Sequence, residues 1–74
     1  MSTQPTPSVV DFEYDVMTKR LDVWLADGTL RRYQRVSRSV HAAMEQAADA
    51  TEFYRSNILS AFAYTIPAAG RLAA

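Results

Sequence analysis

Two groups of residues in this chain stand at spacings that could do chemistry. Asp11, Glu13 and Asp15 recur at every second position, and Arg31, Arg32, Arg35 and Arg38 crowd one short stretch. Paired carboxylates can divide general-acid and general-base roles, and clustered arginines can hold phosphates. For the carboxylates, period-2 spacing has a simpler meaning: one solvated face of a strand. His41 is the only histidine, and the chain has no cysteine to join it in holding a metal. Near the start of a helix it reads as a surface residue. No serine has a base and an orienting group in view. Two glycines cannot build a phosphate-cradling loop. The expectation is a non-enzymatic protein with no catalytic residue, no cofactor, no metal and no small-molecule substrate.

The elements that carry these residues follow from patterning. Residues 1–8, MSTQPTPS, hold two prolines among small polar residues and read as a mobile tail. Val10, Phe12, Tyr14 and Val16 alternate with Asp11, Glu13 and Asp15, which predicts a half-buried antiparallel strand. Met17 to Arg20 form a turn with no glycine to define its type. Leu21, Val23 and Leu25 alternate with Asp22, Trp24 and Ala26 in a second strand. Asp27-Gly28 is a strong hairpin signal, and a third strand runs from about Thr29 to Val36.

The loop length of that hairpin decides which side chains are core. A two-residue loop sets Leu25 opposite Leu30 and Val23 opposite Arg32. A three-residue loop, with Gly28 at the left-handed bulge position, sets Leu25 opposite Thr29, Val23 opposite Arg31 and Leu21 opposite Tyr33. We prefer the second, because it turns the aromatic Tyr33 inward. It leaves Trp24 opposite Leu30 on the outer face. A one-residue slip would exchange the faces.

Ser37 or Ser39 can cap a first helix. Val40, Ala43, Met44 and Ala47 fall on its apolar stripe. Thr51 is the preferred cap of a second helix, with Glu52 in the first turn. That helix runs to about Phe62, and Tyr54, Ile58 and then Leu59 or Phe62 form its apolar face. Pro67 stops any continuation, and residues 67–74 read as a second tail. The predicted fold is α+β: a three-stranded antiparallel meander followed by two helices packed on one sheet face (β-β-β-α-α), in a single domain over residues 9–66.

Composition sets the outer bounds. The chain has 74 residues, 49% hydrophobic, 11% aromatic and 22% charged, which is the profile of a small folded domain. Such a chain buries only about 60% of its unfolded surface, too little for a deep substrate pocket. Eight basic residues balance eight acidic ones. A dedicated nucleic-acid binder usually carries a basic excess. No apolar run approaches the length of a membrane span, and the N-terminus has no secretory pattern. The expected location is the cytoplasm, without a membrane partner.

With the strands in meander order, Asp22 and Trp24 lie between the acidic row of strand one and the arginines of strand three. The plain explanation is edge protection, since charges on edge strands discourage further pairing. The sharper one is a two-signed protein-binding face made by Asp11, Glu13, Asp22, Trp24, Leu30 and Arg32. Tryptophan and arginine are enriched at interface hot spots, and an apolar pair rimmed by charge fits a docking patch. Trp24 could instead pack under a tail or across the sheet. Arginine beside Tyr33 could also serve single-stranded RNA. The acidic first strand argues against that.

The run LDVWLADGTLRRYQRVSRSVHAAMEQA, followed by Phe53-Tyr54, Ile58 and Phe62-Ala63-Tyr64, resembles the KTSC domain family over residues 9–66. That family is a short module found alone in bacteria and phages, and at the C-terminus of some lysyl-tRNA synthetases. Its central Tyr-x-Tyr is half kept, with Arg31 at the first position and Tyr33 at the second. The Ser-x-Gly before the last helix reads Asp49-Ala50-Thr51, the following Phe-Asn reads Tyr54-Arg55, and the Arg after the isoleucine is Leu59. A free-standing chain of this size is also similar to small transcription regulators of Xanthomonas phages. That resemblance implies a partner, host bacterial RNA polymerase, with inhibition of initiation and readthrough of terminators. The synthetase-linked relatives imply a small RNA-binding module instead.

Overall fold

A computed structural model describes residues 7–67 of the chain. Strands β1 (Val9–Asp15), β2 (Arg20–Leu25) and β3 (Leu30–Tyr33) come first in the chain. Helices α1 (Arg38–Gln46) and α2 (Ala50–Asn57) follow, then a short strand β4 (Tyr64–Thr65). The sheet is antiparallel in the order β1-β2-β3-β4. The expected α+β architecture is present, with one strand more than the three-stranded meander. A two-residue strand offers no alternation to read, so β4 carried no signal of its own.

The β2–β3 hairpin has the three-residue loop. Leu21 pairs with Tyr33, Val23 with Arg31 and Trp24 with Leu30. Gly28 donates to the Leu25 carbonyl and Leu25 donates to the Thr29 carbonyl, both at 2.9 Å. Gly28 itself has φ +92°, a left-handed position where a side chain would be strained. Asp27 Oδ1 accepts from the Thr29 amide at 3.0 Å and the Thr29 hydroxyl at 2.7 Å, which holds its carboxyl below the usual range. The turn before β2 has no glycine. Lys19 takes the left-handed conformation there, at φ +58°.

Strand β1 departs from simple alternation. Its register with β2 shifts between Val9 and Asp11, so Val9 rather than Val10 packs on the core. Val10 is 66% exposed and Val16 is 48% exposed. A bulge inserts one residue and reverses the faces before it. At the end of β3, Arg35 adopts φ +59° and turns the chain, so Val36 becomes fully buried.

The core is Leu21, Val23, Leu25, Tyr33, Val36, Met44, Tyr54 and Ile58. Both helices therefore cover the sheet face that carries Leu21, Val23 and Tyr33. Ser37 caps α1, its hydroxyl accepting from the Val40 amide at 3.3 Å. The packed side of α1 differs from the expected stripe. Ala43 is exposed and Ala47 caps the C-terminus, while His41 is half-buried. Its ring stacks on Tyr14 at 4.5 Å and meets the Phe12 ring edge-on at 6.0 Å. Two aromatic neighbours from β1 thus draw the histidine off the surface.

Asp49, not Thr51, caps α2. Its Oδ1 accepts from the amides of Thr51 at 3.0 Å and Glu52 at 3.2 Å. The Thr51 hydroxyl instead accepts from the Val9 amide at 3.0 Å and ties the helix start to β1. The helix ends at Asn57, earlier than the expected Phe62. Ile58 and Phe62 still pack on the core, from the turns that follow. The tails expected at residues 1–8 and 67–74 lie mostly outside the described residues. Asp49→Ala should lower stability by about 1 kcal/mol, the usual value of such a cap. In a domain this small that is a melting-temperature drop of about 4–8 °C, measurable by circular dichroism.

Candidate functional site

Residues directly opposite one another in an antiparallel pair project from the same sheet face. Register therefore sorts the candidates without ambiguity. Asp11 pairs with Trp24, Glu13 with Asp22 and Asp15 with Arg20. Across the sheet, Trp24 pairs with Leu30, Asp22 with Arg32, and Arg32 with Thr65. All six expected site residues, Asp11, Glu13, Asp22, Trp24, Leu30 and Arg32, stand on the sheet face away from the helices.

Their exposures differ. Asp11 and Glu13 are exposed, whereas Trp24, Leu30 and Arg32 are half-buried. Asp22 is 7% exposed, the one buried charged residue among the described residues. Arg32 holds it through two bonds, Nε to Oδ1 at 2.9 Å and Nη2 to Oδ2 at 3.2 Å. Arg20 approaches the same Oδ1 at 3.7 Å and reaches Asp15 at 3.8 Å. A fork-to-carboxylate pair of this kind is oriented and partly desolvated, unlike a loose surface pair. Asp22 and Arg32 thus act first on each other.

Sequence spacing groups Arg31 with the surface arginines, but it stands opposite Val23 on the helix-covered face. Its Nη1 donates to the Tyr54 hydroxyl at 3.1 Å, and its guanidinium lies 4.6 Å from the centre of the Tyr64 ring. The Tyr54 and Tyr33 hydroxyls are 2.6 Å apart, and both rings are fully buried. This cluster joins β3, α2 and β4. It is also where the chain departs from Tyr-x-Tyr, since Arg31 reaches Tyr54 from the position of the missing tyrosine. Strict alternation could have placed Arg31 inward. The run of neighbouring arginines masked that signal. Arg35 and Arg38 are the two arginines of the stretch that remain exposed.

Two open clefts flank β1. One of about 660 Å³ lies between β1 and α1, lined by Tyr14, Val16, Arg38, Ser39, His41, Ala42 and Glu45. The other, of about 360 Å³, lies beside Glu13, Asp15, Arg20 and Asp22. His41 Nε2 is 3.6 Å from Glu45, but Tyr14 donates its hydroxyl to the Val36 carbonyl at 2.6 Å and is committed to the fold. Among the described residues, no three His, Cys, Asp or Glu side chains are grouped to hold a metal. Among them too, no helix is long and apolar enough to cross a membrane.

Residues 8–62 match the model of the KTSC domain. No curated protein matches the chain.

Two measurements test the geometry. Burial, and then the Tyr54 hydroxyl, push the Tyr33 phenol well above its ordinary pKa of 10.0. The folded state therefore holds that proton more tightly than the unfolded chain does. The stability it contributes is complete below pH 10 and falls as pH rises above it. An absorbance titration of wild type against Tyr33→Phe should show that Tyr33 does not ionise near pH 10 while the protein is folded. Tyr33→Phe should flatten the alkaline loss of stability. Separately, Arg32→Ala should cost about 1–2 kcal/mol, between an exposed pair and a buried charged hydrogen bond. Arg38→Ala should stay within about 0.5 kcal/mol, as at an exposed site with no ion pair to a described residue. Urea denaturation of both variants checks the difference.

Proposed function

The chain belongs to the KTSC domain family, and on that premise we propose that it is a non-enzymatic, phage-type regulator of transcription. In this role it binds host bacterial RNA polymerase, inhibits initiation and promotes readthrough of terminators. The likeness to small phage regulators is what supports this partner, and the sheet face that no described element covers is what supports this place of contact. One observation carries the docking role. Both helices are spent on the opposite face, and no described element covers the face on which half-buried Trp24 and Leu30 pair beside exposed Asp11 and Glu13. An aromatic at the centre of a patch rimmed by charge is the usual make-up of an interface hot spot.

RNA binding is less well supported. Phosphate contacts need free cations. Arg31 is turned into the tyrosine cluster and Arg32 is bound by Asp22, which leaves Arg35 and Arg38 from the original cluster.

The test is capture and then activity. Immobilised chain should recover polymerase subunits from bacterial lysate. Added to purified polymerase, it should reduce promoter-dependent transcripts and lengthen those that cross a terminator. Failure to recover polymerase at low salt refutes the proposal. Trp24→Ala should weaken polymerase binding by about 2 kcal/mol or more, roughly 30-fold, and leave the fold intact by circular dichroism.

A further inference from the structure

We propose that the surface seated on the open sheet face is a basic protein surface, with lysine or arginine side chains set around an apolar contact. This inference rests on the docking role proposed above and adds the chemistry of the partner. Sequence patterning points to a two-signed face, acidic on β1 and basic on β3. The side-chain geometry removes one of the signs. Asp22 is buried and holds Arg32 by two bonds, and Arg20 is shared between Asp22 and Asp15. These four residues close on themselves and offer a partner little free charge.

What remains is anionic. Asp11 and Glu13 are exposed and make no ion pair with any described residue. Register places Asp11 directly against Trp24, and Trp24 against Leu30. An apolar strip is thus bordered on one side by unpaired carboxylates. A lysine or arginine suits both parts of this surface. Its methylene stem packs on apolar area while its head stays with the carboxylates, and a cation over an indole ring gains further attraction. Phosphate backbones meet repulsion here. So does the same face of a second copy, since its carboxylates would come together. Complementary charge sets partner choice and the rate of encounter, so the preference should appear in salt dependence as well as affinity.

The experiment has two arms. In the first, polymerase binding is measured at several ionic strengths for the wild-type chain, the Asp11→Asn/Glu13→Gln variant and the Arg35→Gln/Arg38→Gln variant. The carboxylate variant is expected to bind about tenfold more weakly, with a shallower salt dependence. The arginine variant is expected to bind as the wild type does. In the second arm, a synthetic peptide alternating lysine and leucine, its glutamate-leucine counterpart and a single-stranded oligonucleotide are titrated against labelled protein. Amide shifts at Asp11, Glu13, Trp24 and Leu30 with the lysine peptide alone are the supporting result. Such shifts without polymerase binding keep the surface assignment and refute the polymerase role. Polymerase binding that survives loss of both carboxylates overturns the inference and leaves the polymerase role standing. Shifts on this face with the oligonucleotide, or none with the lysine peptide, also overturn it.

Discussion

The fold depends first on one backbone position. Gly28 sits at φ +92° with open space where a side chain would begin, so the backbone angle and not crowding is what favours glycine there. That conformation ends a three-residue loop and fixes the β2–β3 register, because side chains alternate with a period of two. Shift the pairing by one residue and Trp24 would trade faces with Val23 and Leu25. The core of eight residues would lose its three β2 members at once. In a domain this small no second core could replace them.

The register also brings Tyr33 to the place where it meets α2. Tyr33 and Tyr54 are polar groups inside the core, tolerable only because each hydroxyl has the other as partner, with Arg31 donating from the rim. Arg31 is an uncomfortable tenant. Its Nε is buried and makes no hydrogen bond. The stacking of its guanidinium with Tyr64 gives that charge another neighbour and links it to β4. Strand β4 spans two exposed residues and pairs only with Arg32 and Tyr33. It has little to hold it besides these aromatic and cationic contacts.

Much of this was legible in the sequence, and the failures share a cause. Leu21, Val23, Leu25, Tyr33, Met44, Tyr54 and Ile58 could be assigned inward because each lies in a run with a clear period or beside a turn of known type. Val9, Val36 and His41 could not. Val9 depends on a bulge, and Val36 on the left-handed Arg35, both of which break alternation without leaving a glycine as a marker. His41 depends on Phe12 and Tyr14, far away in sequence. The choice between Asp49 and Thr51 as cap was likewise tertiary, since Thr51 is engaged by the Val9 amide. For the candidate face, register could be read in advance, but the closure of Asp22 on Arg32 and Arg20 could not. Alternation gives the face of a side chain and is silent on its partner.

That closure bears on whether the acidic row only protects an edge. Strand β1 is an edge strand, and its exposed donors must be kept from other chains. Much of that is achieved by other means. A bulge interrupts the strand, the Val9 amide is taken by Thr51, and the Phe12 amide is taken by Asp11 Oδ1 at 2.8 Å. Asp11 therefore has an edge-capping role that involves one of its two oxygens. Glu13 has none: it makes no hydrogen bond or ion pair with a described residue. Edge protection also gives no account of Trp24, which lies on β2, inside the sheet, facing away from the core. An interior strand needs no guard of this kind. A spare carboxylate and an outward indole are what the proposed docking role accounts for and edge protection does not.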